Sequence, residues 1–301
     1  MFKGLSWCVA VVGVVASGAL RAQAPVADVA FPALALQVQL SQAGFSPGQI
    51  DGLDGANTAK ALAAYLAVHK TAPVATGETL ESYVITEADA AGPFITIPTD
   101  MMDKGKLKAL GYASLGEALG ERFHAAPSLL AALNPGVTFA AGATIKVPRV
   151  RVEPKPGAKA DATSDAARVV VSKGESSVRV YNGAGALLFY APVTSGSEND
   201  PLPLGEWTIT SVLRNPTFHY NPDLFWDADP SHAKSTIPPG PNGPVGVVWI
   251  DISKEHYGLH GSPEPGKIGY TDSHGCVRLT NWDASRLAGL VKKGTQVLFV
   301  E

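Results

Sequence analysis

From residue 167 onward the apolar residues of this chain alternate, whereas upstream they recur at helical spacing. That change of period divides what the chain can fold into. Arg168-Val-Val-Val-Ser, Ser177-Val-Arg-Val-Tyr and Ala186-Leu-Leu-Phe-Tyr read as strands, and Asn182-Gly-Ala-Gly reads as the hairpin turn before the last of them. Further strands are expected over 206–212, 245–252, 257–260 and 296–300, with one helix near 283–291. Proline and glycine are dense between them. Residues 167–301 are therefore expected to form an all-β domain, a sandwich or barrel with long loops. Residues 151–166, made of Pro, Ala, Lys and Ser without an apolar period, read as the linker ahead of it.

Two smaller units precede the linker. In the first, over 30–72, Ala33, Leu36, Leu40 and Ala43 predict a helix stopped by Gly44. After two turns, Asn57 is expected to cap a second helix with Ala59, Leu62, Tyr65 and Leu66 on its apolar side. Asp51 and Asp54 sit among glycines without the spacing or closing Glu of a calcium loop, so they read as turn residues. In the second unit, over 80–150, Leu115, Leu119 and Phe123 share a helical face. Ser128 to Leu133 forms a short helix ended by Asn134-Pro-Gly, and Thr144-Ile-Lys-Val-Pro closes as a strand. Residues 34–70 resemble the small helical peptidoglycan-binding module, on Ala43-Gly-Phe-Ser-Pro-Gly, Ile50-Asp-Gly, Gly55 and Asn57-Thr58. Tyr65-Leu66 replaces that module's aromatic-Gln pair. Ala118 to Pro148 is similar to the helix–helix–strand part of a LysM glycan-binding module, with Tyr83-Val-Ile as its first strand and 87–111 as an insertion.

The N-terminus reads as an export signal over residues 1–24. Lys3 precedes an apolar run from Trp7 to Leu20, too short to span a bilayer, and Ala22-Gln23-Ala24 follows as a cleavage site. After processing, no stable membrane span and an exported location, periplasm or cell wall, are expected. With 24 basic and 27 acidic residues the formal charge is −3, which gives no electrostatic case for nucleic-acid binding. Of the two cysteines, Cys8 lies in the signal and only Cys276 would remain. A single thiol forms no internal disulfide, so in an oxidising compartment it is either buried and inert or functional.

Its neighbours favour function. Ser273, His274, Gly275 and Arg278 flank Cys276, and His260-Gly261 lies upstream in a Gly-rich stretch. A reactive cysteine needs a thiolate, which a nearby imidazole or cation supplies. Small residues before it leave backbone N–H groups free to face a developing oxyanion. The set fits nucleophilic acyl transfer. No metal and no cofactor are expected, since one cysteine without close His-x-His or Cys-x-x-Cys spacing is no zinc pattern. His219, His232 and His256 have no partner pattern and read as surface or loop residues, with His219 and Tyr220 as candidates to line a substrate groove.

The stretch from His260-Gly261 through Ser273-His274-Gly275-Cys276-Val277-Arg278-Leu279 and Asn281 resembles the signature of the L,D-transpeptidase (YkuD-type) catalytic domain. Leu202-Pro-Leu-Gly-Glu-Trp-Thr-Ile and Pro239-Gly-Pro-Asn-Gly-Pro-Val-Gly extend the resemblance over 167–301. It implies Cys276 as nucleophile toward a peptidoglycan tetrapeptide stem, His260 as base and then acid, and the Gly261 carbonyl as the group that orients the imidazole. The N–H groups of His274, Gly275 and Cys276 would receive the oxyanion. Ser273 and Arg278 would support the loop or meet stem carboxylates. The acyl group would pass to an amine acceptor. Two alternatives stay open on the sequence: an L,D-carboxypeptidase, in which water resolves the same acyl-enzyme, and a non-catalytic wall-binding protein. A papain-like peptidase ranks last, because there the cysteine precedes the histidine.

Overall fold

The computed structural model describes residues 1, 31–74, 77–150 and 165–301. The expected export signal and most of the expected linker lie outside the described residues. Two helices come first, α1 (Leu34–Ala43) and α2 (Ala56–His69). Gly44 ends α1 with φ 92°, a left-handed conformation in which glycine meets no Cβ penalty. The expected cap of α2 is corrected: Gly55 holds that position, while Asn57 lies in the first turn and donates from Nδ2 to the Ile268 carbonyl at 2.9 Å. The buried side of α2 is accordingly Asn57, Thr58, Ala61 and Ala64, with Ala59 and Leu66 exposed. Asp51 Oδ1 accepts from Leu53 N and Gln37 Nε2, which is turn chemistry.

Next come β1 (Leu80–Val84), the short helices α3 (Glu87–Ala90) and α4 (Met101–Lys104), α5 (Leu115–Arg122), α6 (Pro127–Leu133) and β2 (Thr144–Pro148). β1 and β2 pair antiparallel, Tyr83 opposite Ile145. One apolar core serves both N-terminal units, since Leu34, Val38 and Ile50 cluster with Ile85, Leu119, Phe123, Leu130 and Val147.

The C-terminal part contains β3 (Ala166–Ser172), β4 (Ser177–Asn182), β5 (Leu187–Pro192), β6 (Thr194–Ser195), β7 (Gly205–Arg214), β8 (Phe218–Tyr220) and β9 (Ser235–Ile237). After these come β10 (Val248–Ile252), β11 (Gly258–His260), β12 (Val277–Arg278), the helix α7 (Asn281–Leu290) and β13 (Gln296–Val300). At the β4–β5 turn Asn182 Oδ1 accepts from Ala184 N and Ala186 N, the expected hairpin. Nine strands form one sheet in the order β5-β4-β3-β13-β7-β10-β11-β12-β6. Its two ends, β5 and β6, are separated in the chain only by Val193, so the sheet curls back on itself as a barrel does. Alternate residues such as Val169, Val171, Val178, Val180, Ile250 and Val297 fill its interior with the inner face of α7.

The N-terminal units are docked on this domain, chiefly on α7. His124 stacks on Trp282, Ser46 Oγ donates to Asp283 Oδ2 at 2.8 Å, and Arg286 Nη1 donates to the Ser41 carbonyl at 3.3 Å. Elsewhere Leu110 N donates to the Pro239 carbonyl, and Asn242 Nδ2 donates to Gly111 O and Glu117 Oε1.

Candidate active site

Strand pairing brings the two ends of the motif together. β11 runs parallel to β12, with Leu259 opposite Val277 and His260 opposite Arg278. Paired residues share a face and side chains alternate along a strand, so Cys276, two residues before Arg278, comes to the side of the sheet that carries His260. The Arg278 charge acts on both groups.

His260 is only 4% exposed. Its Nδ1 lies 2.7 Å from the Gly261 carbonyl. A carbonyl only accepts, so Nδ1 carries the proton and Nε2 keeps its lone pair. Trp249, its cross-strand neighbour, stacks on the ring at 5.5 Å. Burial, then the nearby Arg278 guanidinium, lower the imidazole pKa to about 4. Gly261 is itself fixed. Its N–H donates to the Val248 carbonyl, and a Cβ there would stand 2.1 Å from Asn281 Oδ1. Asn281 in turn accepts from Val247 N at 3.1 Å and donates to the Pro241 carbonyl at 3.1 Å.

The Cys276 thiol is turned toward the His256 carbonyl, 3.7 Å from Sγ. Burial pushes its pKa up to about 11, against a backbone hydrogen bond from Gly258 and the Arg278 charge. At neutral pH Cys276 is thus a thiol and His260 a neutral imidazole. His256, expected as a bystander, sits at φ 67° and supplies this carbonyl.

Ser273 holds the loop. Its hydroxyl donates to the Cys276 carbonyl at 2.6 Å and accepts from Gly196 N at 2.8 Å, and it is 4% exposed. Gly275 has φ 92°, and a Cβ on it would come 2.5 Å from the Tyr257 ring. The His274 ring lies between Asp227 Oδ1 at 2.8 Å and Arg278 Nη2 at 3.5 Å, with Phe225 and Trp226 against it. Since the guanidinium only donates, Nδ1 accepts from it and Nε2 donates to Asp227. Asp227, Phe225, Trp226, Trp249 and Tyr257 were not expected here. The first three come from the loop between β8 and β9, which carries no motif. Tyr220, a groove candidate, instead bonds His232 Nδ1 through its hydroxyl at 2.9 Å, and His232 Nε2 meets Asp100 Oδ2 at 2.9 Å.

A family model described as the YkuD L,D-transpeptidase catalytic domain matches residues 166–299. Residues 166–299, somewhat less than half of the chain, are thus similar to that catalytic domain. On its similarity to that domain and to the relatives below, the protein is an enzyme of the acyltransferase kind. The relative named L,D-transpeptidase YkuD from Bacillus licheniformis is 28% identical over 184 residues, covering 60% of this chain and 90% of that one. The one named L,D-transpeptidase YbiS from Escherichia coli strain K12 is 29% identical over 178 residues, and the match spans 56% of this chain and about half of the relative, 54%. Among solved structures, L,D-transpeptidase 3 from Mycobacterium tuberculosis with a faropenem-derived adduct is similar at TM-score 0.38 and 18% identity, covering 55% of this chain and 76% of that one. An L,D-transpeptidase from Mycobacterium smegmatis is similar at TM-score 0.37 and 18% identity, over 54% and 75%.

Proposed function

We propose that the protein is an exported enzyme that acylates Cys276 with a peptidoglycan tetrapeptide stem and passes the acyl group to an amine, forming a crosslink. The observation that carries this reading is the β11/β12 register, under which Cys276 falls on the side of the sheet that carries His260, whose Nδ1 is taken by the Gly261 carbonyl and whose Nε2 is left free as a base.

The steps follow from the chemistry. With the thiol near 11 and the imidazole near 4, a resting thiolate–imidazolium pair is disfavoured. The thiol proton therefore leaves Cys276 Sγ, where it faces the His256 carbonyl, for His260 Nε2 as sulfur attacks the stem carbonyl. The N–H groups of His274, Gly275 and Cys276 receive the oxyanion, each essential donor contributing about 3–4 kcal/mol in comparable acyl-transfer sites. His260 then protonates the departing D-alanine nitrogen, leaving a thioester on Cys276. Arg278, oriented by His274 and Asp227, meets a carboxylate of the stem. The exposed Trp226 and its neighbour Phe225 form a wall of the groove.

The two N-terminal units are proposed as wall-binding modules, on the helix pair α1–α2 and the β1–α5–α6–β2 order with paired strands. Export is proposed on the N-terminal sequence; among the described residues no helix is long and apolar enough to cross a membrane. The test is to incubate a purified disaccharide-tetrapeptide with the full chain and with Cys276→Ala, and to identify the products by mass spectrometry. A crosslinked dimer formed only by the unmodified protein supports transpeptidation. Tripeptide with free D-alanine makes the enzyme a carboxypeptidase, and unchanged substrate leaves only wall binding.

A further inference from the structure

We propose that the Asp200 carboxylate binds the incoming acceptor, as a primary ammonium group, beside the thioester on Cys276. This rests on the reading of Cys276 as the acylated residue. Asp200 belongs to the loop leaving β6, and β6 pairs with β12, Ser195 opposite Val277, so the loop departs next to the cysteine. Its base is fixed to the motif. Gly196 N donates to Ser273 Oγ, Ser273 N donates back to the Gly196 carbonyl at 3.0 Å, and the same hydroxyl reaches the Cys276 carbonyl. Within the loop, Ser197 N donates to the Asp200 carbonyl at 2.9 Å and Asp200 N donates to Ser197 Oγ at 3.0 Å. A Cβ at Gly196, where φ is 64°, would stand 2.5 Å from Leu202 N, so the loop closes tightly on itself.

The carboxylate is the anomaly. Asp200 is half-buried, its Oδ2 is buried without a hydrogen-bond partner, and among the described residues no cation pairs with it. A desolvated, unpaired carboxylate is unfavourable. It also opposes catalysis at rest, because its charge raises the pKa of Cys276 and of Tyr257, the ring against Gly275. A cationic ligand removes both penalties, and the proposed reaction brings one in its second half. Asp200 holds the ammonium, which gives one proton to solvent before its nitrogen attacks the thioester carbon. The C–N bond forms and the C–S bond breaks. The second nitrogen proton passes through His260 to the leaving sulfur, which restores the thiol.

The experiment uses the full chain with tetrapeptide donor and glycinamide as acceptor, and reads the ratio of amide product to hydrolysed tripeptide. Both products arise from one acyl-enzyme, so the ratio does not depend on how fast that species forms. Asp200→Asn is expected to lower the ratio at least tenfold at equal amine, and Asp200→Glu to recover most of it. In the unmodified protein, tetramethylammonium chloride, which cannot be acylated, is expected to lower the ratio more than equal sodium chloride, a readout independent of whether the variants fold. An unchanged ratio in Asp200→Asn, or equal effects of the two salts, overturns the assignment. A slower reaction at constant ratio also overturns it, by placing Asp200 in donor binding. Absence of any Cys276 adduct in the unmodified protein overturns the underlying reading, and the assignment with it.

Discussion

Asn281 Oδ1 lies where a Cβ on Gly261 would have to go, 2.1 Å from that ideal position. The amide thereby sets the backbone of the residue whose carbonyl holds His260 Nδ1. Asn281 starts α7, the helix on which the N-terminal units are docked, so the base rests on contacts that begin outside the catalytic domain.

Asn281→Ala is expected to release the 246–248 and 261 backbones and misplace His260. A displacement of about 1 Å in a reacting group costs on the order of 10²-fold in rate. Turnover of the tetrapeptide should fall by about that factor while the thiol count stays unchanged.

Alkylation reports the thiol directly. Burial raises the Cys276 pKa to about 11, so the reactive thiolate is scarce at neutral pH and grows as pH rises. The iodoacetamide rate should climb about tenfold per pH unit from 7 to 10. A rate already flat above pH 7 would show a low-pKa thiolate instead.

The domain junction predicts a pH-dependent stability. Burial raises the Glu121 pKa to about 8, with Asn281 as its hydrogen-bond partner and Glu117 and Asp283 adding to the rise. A folded pKa above the unfolded value means the associated stability is complete below about 4.5 and is lost as pH rises through 8. Burial lowers the His124 pKa to about 3, so its contribution runs the other way, growing from pH 3 to about 6.5. The two oppose each other between 4.5 and 6.5, and Glu121 alone acts above that. Urea unfolding should therefore show stability falling from pH 6.5 to 8, by at most about 1.4 kcal/mol per unit. Glu121→Gln should flatten that fall.

Asp227→Asn should weaken the donor contact on His274, leaving Arg278 less well oriented. Loss of one charge-assisted hydrogen bond is worth about 1.5–3 kcal/mol. A rise in KM for the tetrapeptide of about tenfold is expected, with a smaller change in kcat, measured by steady-state kinetics.

The long alternating strands and α7 were legible because several residues repeat one period. β6, β8, β9 and β12 were not, since two or three residues carry no period at all. The α2 cap was misplaced because Asn57 serves a distant partner, the Ile268 carbonyl, which local sequence does not record. At the site, Cys276, His260 and Gly261 were legible as a compact motif. Asp227, Tyr257 and Asp200 come from three separate loops distant in sequence, which local sequence does not record as neighbours.

The most direct measurement is intact-protein mass spectrometry of the full chain mixed with disaccharide-tetrapeptide and quenched in acid. The expected product is an adduct equal to the donor less D-alanine, mapped by peptide digestion to Cys276 and absent from Cys276→Ala. Turnover by the Cys276→Ala protein, or an adduct on another residue, would contradict it.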